Sequence, residues 1–380
     1  MKILYDHQIF TRQNYGGISR YFCELIDQFS QNPDLNVTIA LRASYNENLC
    51  NQPSLNPYWS NKSHLLSSSQ IIPYIQKNIH INLLKRLHIN QSESVRLLKK
   101  QDFDIFHPTE YNPYFLKHLQ KKPYVLTVYD MIHELFPEKV KKDNTAIQKT
   151  KIIEGATKII AISDNTKTDI IRFYDIEPQK IEVIHLATSL QKYTPDISLN
   201  LPQKYILFVG NRGFYKNFTF FLNSISSLLN DEKDLCLICA GGGVFSYNEI
   251  HLLNDLNIKN RVIHYPIVND STLSQLYRKA ILFVFPSLYE GFGIPVLEAF
   301  SCGCPVAASN CSSIPEVGGE AMNYFDPNNS DSIQKGVEEI VHNHSLQDSM
   351  RIKGYQRLEL FSWEKTALNT KKVYDNLLSQ

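Results

Sequence analysis

The chain has 380 residues, 43% hydrophobic and 20% charged, with a formal net charge of +1. This is the composition of a soluble globular protein with too much chain for one ordinary core; it excludes a disordered or fibrous polymer and offers no overall positive charge for nucleic acid. The opening Met1-Lys2-Ile3-Leu4-Tyr5-Asp6-His7 breaks its apolar run too early for a secretory leader, no segment nears the roughly 18 apolar residues that span a membrane, and the seven cysteines are expected as reduced thiols of a cytoplasmic protein.

In chain order, short apolar runs bounded by turn residues predict buried parallel strands at 2–5, 37–41, 105–107, 124–128, 158–162 and 181–185. A second series follows at 205–209, 235–239, 262–265, 282–285 and 306–308. Helical patterns at 18–29, 165–174, 217–229 and 270–278 alternate with them, which predicts βαβ units and doubly wound parallel sheets. Residues 189–202 are polar, carry Pro195 and Pro202, and predict a linker between a first domain at 1–188 and a second at 203–362. A final helical pattern, 363–378, is expected to return to the first domain. Residues 45–100 fit this scheme least. Their basic amphipathic part, 77–100, with Lys85, Arg86, Arg96, Lys99 and Lys100, suits either a solvated helix face or peripheral contact with anionic lipid.

Three motifs stand at predicted strand ends. Tyr15-Gly16-Gly17-Ile18-Ser19-Arg20 precedes a helix, where paired glycines admit a close ligand and free N–H groups favour a phosphate or a hydroxyl. It is no GxGxxG, so no nicotinamide cofactor is indicated. Gly210-Asn211-Arg212-Gly213-Phe214-Tyr215-Lys216-Asn217 gathers a glycine turn, Arg212 and Lys216 at a helix start, a cationic group suited to a diphosphate. It lacks the Gly-Lys-Ser/Thr of a Walker loop.

The third motif is Ser287-Leu288-Tyr289-Glu290-Gly291-Phe292-Gly293-Ile294-Pro295-Val296-Leu297-Glu298. Here Glu290 falls in a loop and Glu298 falls near the start of a helix that Pro295 opens. Two such carboxylates can accept hydroxyl hydrogen bonds from a ribose and a hexose. Cys302, Cys304 and Cys311 lie close in sequence, but they lack the second Cys pair of a zinc site, so no metal is expected.

With these residues in view, the chain resembles the retaining glycosyltransferases of the GT-B fold, specifically family 4, or "group 1". The run Glu290–Glu298 matches that group's E-x7-E motif, and Ser313-Ile314-Pro315-Glu316-Val317 and Asp326-Pro327 match the segment beyond it. The resemblance implies an α/β fold of two Rossmann-like domains, doubly wound parallel sheets facing across a cleft.

It further implies that Glu298 holds the donor ribose, that Glu290 contacts the donor hexose, and that Arg212 and Lys216 neutralise the diphosphate beside Gly210. Gly16 and Gly17 would abut the diphosphate or sugar from the first domain, and the amides of Phe292, Gly293 and Ile294 would meet the hexose. Val268 would read the base through its main chain. The family's His-Asp pair corresponds to Tyr129-Asp130, with His133 nearby as a substitute, and Asp130 keeps the acid. No metal or cofactor is implied; the substrate is a nucleotide-diphosphate sugar. Similarity leans toward bacterial mannosyltransferases of surface polysaccharide, hence GDP-mannose, with a UDP-sugar open and a saccharide or lipid-linked saccharide as acceptor at the inner face of the membrane. The rival readings are a two-domain nucleotide-sugar epimerase and a non-catalytic nucleotide-sugar binding protein.

Overall fold

The structure is a computed structural model, and it describes residues 1–60, 83–140, 144–190, 198–267 and 269–379. The chain divides into two compact units: Met1–Leu186 with Trp363–Gln380, and Ala187–Ser362.

In the first unit, β1 (Lys2–Tyr5) lies between β2 (Asn36–Ile39) and β3 (Ile105–His107), and β5 (Lys158–Ala161) lies between β4 (Val125–Val128) and β6 (Ile181–Val183). All these pairs are parallel. A parallel bridge, Phe106 to Tyr124, and the bond from Phe106 N to Pro123 O join the two sheets at β3 and β4. β4 is buried at every position, as a strand covered on both faces must be.

The helix Gly17–Ser30 buries Ser19, Tyr21, Phe22, Cys23, Leu25, Ile26 and Phe29, one stripe of a 3.6-residue period. The helix Trp363–Leu378 packs against it within the same unit, burying Trp363, Ala367, Thr370, Val373 and Tyr374. A buried polar cluster anchors that helix: His107 Nδ1 lies 2.6 Å from Tyr374 Oη, His107 Nε2 lies 2.9 Å from Thr127 Oγ1, and the Tyr5 and Tyr374 hydroxyls are 2.9 Å apart. Burial lowers the His107 pKa to about 3, so the ring is neutral.

The second unit is one parallel sheet in the order β12-β11-β10-β7-β8-β9. Its strands are β7 (Lys204–Val209), β8 (Leu235–Ala240), β9 (Val262–Tyr265), β10 (Leu282–Phe285), β11 (Val306–Ser309) and β12 (Asn323–Phe325). The edge strand β12 is invisible to a periodicity reading because its three residues are short and only part-buried before Phe325. The helix Phe218–Asp231 covers one face with Phe218, Phe221, Leu222, Ile225, Leu228 and Leu229. Phe218 meets Phe208 edge-on at 5.0 Å.

Sheet order is what positions the site. From β7 the chain runs outward through β8 and β9, then returns to β10 on the other side of β7 and runs outward through β11 and β12. The carboxyl ends of β7 and β10 therefore flank a topological switch point, where doubly wound sheets bind ligands. In the first unit the corresponding point lies between β1 and β3.

Candidate active site

Both motifs of the second unit emerge at this switch point. After β7, Gly210 adopts φ +109°, open to glycine, and Phe214–Lys216 forms a 3-10 turn. Asn217 follows at φ +58°, a left-handed conformation that asparagine tolerates, and caps the next helix. After β10, Gly293 at φ +123° is the N-cap of the helix Ile294–Ser301. The two loops are stitched together by Leu288 N donating to Tyr215 O at 2.7 Å.

Lys216 Nζ donates to Glu290 Oε1 at 2.7 Å, with both side chains nearly nine-tenths buried. The ammonium also lies 5.2 Å from the ring centroids of Tyr215 and Phe285. The motifs assign these two residues to different parts of a donor; the structure brings them into direct contact.

Glu290 is fixed from behind. Its N–H donates to Ser312 Oγ at 2.9 Å, and its carbonyl accepts from Ser312 Oγ at 3.0 Å and Ser313 Oγ at 2.8 Å. Ser313 Oγ also reaches Phe292 O at 2.7 Å. Ser312 holds a left-handed φ of +53°, strain of the kind that clusters at functional sites. The supporting role of Ser312 has no signal in the sequence.

Glu298 lies in the helix Ile294–Ser301 and accepts from the Tyr277 hydroxyl at 3.1 Å. Tyr277 is fully buried, and burial, with the nearby Glu298 charge, holds its hydroxyl well above the ordinary tyrosine range. It therefore stays a donor and fixes the carboxylate's orientation. No sequence motif announces Tyr277; it is one apolar-face residue of the helix Asp270–Lys279. Val268, the expected base reader, lies outside the described residues.

Arg212 is expected on the diphosphate, and in the structure its guanidinium bonds within its own unit. Nε donates to Glu249 Oε1 at 2.5 Å, Nη1 to Gly241 O at 3.2 Å, and Nη2 to Gly243 O at 3.0 Å and Val244 O at 3.1 Å. The cation sits 4.8 Å from the Phe245 ring centroid. Four of its five N–H groups are thus spent on holding the 241–249 turn. A Cβ on Gly242 would stand 2.6 Å from Gly210 O, so the turn packs directly on the β7 loop.

In the first unit, Gly16 is the N-cap of the helix Gly17–Ser30, and its carbonyl accepts from Ser19 Oγ at 3.0 Å and Asn48 Nδ2 at 3.0 Å. Tyr129 is enclosed within the first unit. The resemblance places it against the donor sugar, but it is 6% exposed, its hydroxyl donates to Thr109 O at 3.3 Å, and its ring packs among Tyr21, Phe22 and Tyr111. It is a core tyrosine. Asp130 Oδ1 accepts from Ile132 N at 3.1 Å and so starts the short turn Ile132–Leu135 that contains His133.

Below that turn stands Lys149, which is fully buried and carries no motif. It donates to Asp130 O at 2.8 Å and Glu134 Oε2 at 3.0 Å, and lies 4.9 Å from the Tyr111 ring centroid. Within the basic helix Leu83–Lys100, Arg86 is buried over Tyr45 at 4.2 Å and Arg96 pairs with the buried Glu93 at 2.6 Å. Arg86 thus lies in the interior and Arg96, itself exposed, neutralises the buried Glu93, while Lys85, Lys99 and Lys100 are exposed and Lys77 lies outside the described residues. Cys302 and Cys311 have pKa values pushed up to about 11 by burial and remain thiols at neutral pH.

Comparison with known proteins joins this geometry to a class. Sucrose-phosphate synthase from Thermosynechococcus elongatus matches with a TM-score of 0.74 at 16% identity, covering 100% of this chain and 99% of that one. Anabaena Alr3699/HepE, solved in complex with UDP and glucose, matches with a TM-score of 0.69 at 16% identity, over 100% and 99% of the two chains. The fold is GT-B, and the protein is an enzyme of the glycosyltransferase class. Two consecutive family profiles account for most of its length: "Glycosyltransferase Family 4" over residues 15–192 and "Glycosyl transferases group 1" over residues 191–357. The O-antigen chain mannosyltransferase B of Escherichia coli is 27% identical over 374 residues, covering 94% of this chain and 95% of that protein. The chain belongs to the group 1 glycosyltransferases that carry a family 4 domain ahead of the group 1 domain.

Proposed function

We propose that the protein is a retaining, metal-independent hexosyltransferase that moves mannose from GDP-mannose onto a saccharide, lipid-linked in the cell, during bacterial surface-polysaccharide synthesis. The observation that carries the reading is the Lys216–Glu290 contact at the switch point of the second unit, with Glu290 opening the E-x7-E motif that Glu298 closes. The mannosyl and O-antigen assignment draws on the E. coli relative.

In this reading Glu298, oriented by Tyr277, accepts the ribose hydroxyls. Lys216 places its ammonium where charge grows on the departing diphosphate, and Glu290 holds that ammonium and meets the hexose. A preorganised cation aimed at developing charge is worth about 100- to 1,000-fold in turnover at sites of this kind. The main-chain N–H groups of Phe292, Gly293 and Ile294, at a helix start, suit the hexose and phosphate oxygens. Gly210 keeps the β7 loop low beside them. Asp130 and Lys149 shape the 130–134 turn rather than carry the transfer. Arg212 acts by holding the 241–249 turn.

Catalysis is then positioning plus electrostatics, with the acceptor hydroxyl attacking on the face the diphosphate leaves. Among the described residues no helix is long and apolar enough to cross a membrane. A thermal-shift panel of nucleotide sugars tests the donor assignment, because a ligand of the folded state raises its stability by mass action. GDP-mannose should give the largest rise; a larger rise with a UDP-sugar would reassign the base.

A further inference from the structure

Lys149 is a buried charge that no motif accounts for. It lies in the helix Thr145–Gly155, which turns Lys149, Ile152 and Ile153 inward, and its side chain is wholly enclosed. A lysine in such a place is costly, because its ammonium leaves a favourable hydration shell behind. An apolar residue would extend the stripe of Ile152 and Ile153 without that penalty.

The ammonium is directed at the turn that follows β4. Nζ donates to Asp130 O at 2.8 Å and to Glu134 Oε2 at 3.0 Å, so one cation holds the turn at two residues four apart. Glu134 is itself buried, and its other oxygen accepts from the Tyr174 hydroxyl at 2.5 Å. Burial and the Glu134 contact hold that hydroxyl well above the ordinary tyrosine range, so it stays a donor. Tyr111 completes the set. Its ring centroid lies 4.9 Å from the ammonium, and its hydroxyl accepts from Tyr129 N at 2.9 Å, just beyond the end of β4.

Within the turn the bonding is local and sparse. Asp130 Oδ1 accepts from Ile132 N at 3.1 Å, and Leu135 N and Phe136 N donate to Met131 O and Ile132 O, each at 2.9 Å. A helix as short as Ile132–Leu135 has no stability of its own. Its place matters, because the carboxyl ends of the strands are where parallel sheets bind ligands. A buried ion pair is a weak source of stability, and neutral residues of similar size often replace it without loss. What this pair supplies instead is a fixed backbone at Asp130 and a fixed side chain at Glu134.

We propose that Lys149 is a positioning residue for the transfer step: through Asp130 O and Glu134 it sets the shape of the 130–134 turn, at no gain in stability. Lys149 itself touches no substrate. The proposal rests on the protein being a glycosyltransferase, and one arm of its test needs no turnover.

The test is the paired variant Lys149→Met/Glu134→Gln in the full chain. It removes both charges together, fills the space of the lysine and keeps an acceptor for the Tyr174 hydroxyl, so neither charge is left buried alone. It should melt within about 4 °C of the parent, whereas Lys149→Met alone, which strands Glu134, should melt lower. Affinity for GDP should be parental, since Lys216, Tyr277 and Glu298 all belong to the second unit. With the nucleotide sugar that gives the parent its largest thermal shift, kcat should fall about 10- to 100-fold, the loss that a misplacement of about 1 Å brings. Amide exchange at Ile132, Leu135 and Phe136 should quicken at least about tenfold, while the amides of Val125–Val128 keep their parental protection. A merely structural pair would lower the melting temperature and spare kcat once the fold was kept. A paired variant with parental kcat, one that melts as low as Lys149→Met alone, or one with unaltered exchange in the turn would each overturn the proposal. A parent chain that neither binds GDP nor turns over a nucleotide sugar would count against the nucleotide-sugar reading instead, and the exchange measurement would still decide whether Lys149 sets the turn.

Discussion

Lys216 Nζ and Glu290 Oε1 stand 2.7 Å apart although 74 residues separate them in the chain. The contact exists because β7 and β10 are neighbours while their connections run to opposite sides of the sheet. It concentrates one ammonium and one carboxylate in a part-buried place, where charge is felt more strongly than in water.

Lys216→Ala should therefore lower turnover by at least about 100-fold, the usual loss on removing a donor to developing negative charge. Glu290→Gln keeps a neutral acceptor for Lys216 and should fall between that variant and the parent. Steady-state kinetics on the two variants check this; a Lys216→Ala enzyme at parental kcat would remove Lys216 from the chemistry.

Tyr277→Phe should weaken nucleotide affinity by about tenfold while preserving the buried ring and hence the fold. Because burial and Glu298 keep the Tyr277 hydroxyl protonated well above its ordinary range, the parent's nucleotide affinity should show no alkaline decline from this residue near pH 10, where an exposed tyrosine ionises. Titration of GDP against both proteins across that range measures both effects.

Arg212→Lys should act on stability rather than on the leaving group. A lysine cannot satisfy Glu249 and three carbonyls at once, and breaking a mostly buried, multiply bonded pair costs about 2–3 kcal/mol. Glu249→Gln should shift the thermal transition in the same direction. A variant with parental melting temperature but a kcat reduced as far as Lys216→Ala would restore Arg212 to the diphosphate.

Acid should weaken the first unit through His107. Its folded pKa is lowered to about 3 by burial, whereas an unfolded histidine titrates near about 6.5. Below that pH the unfolded chain binds a proton the native state refuses. The stability is fully present above pH about 6.5 and is lost as pH falls toward 3, at up to about 1.4 kcal/mol per unit. Between pH 6.5 and 5 the parent should lose about 2 kcal/mol more than His107→Gln. Both tryptophans, Trp59 and Trp363, lie in the first unit, so their fluorescence during urea unfolding reports it. Equal acid losses in the two proteins would refute the assignment.

The parallel architecture is legible in the sequence because buried strands such as Leu282–Phe285 are unbroken apolar runs. Glu290, Glu298 and Lys216 are legible because glycines and a proline punctuate strand-loop-helix junctions around them. What stays hidden depends on distant partners. Arg212 and Lys216 look alike in one loop, and only the fold shows that Arg212 bonds to the 241–249 turn, 31 residues on at Gly243, while Lys216 meets Glu290. Tyr129 sits at a functional-looking strand end, yet the packing of Tyr21, Phe22 and Tyr111 makes it core. Tyr277, Ser312 and Lys149 carry no local signature, because each acts on a residue that the fold alone brings near.

The most direct test of the account is release of GDP from GDP-mannose, followed with and without a mannose-terminated oligosaccharide, by the parent chain and by Glu298→Ala. The account predicts rapid release that depends on the oligosaccharide, a mannosylated product with the donor's anomeric configuration, and a large rise in donor KM for the variant. GDP release indifferent to the oligosaccharide, or a Glu298→Ala enzyme with parental donor KM, would contradict it.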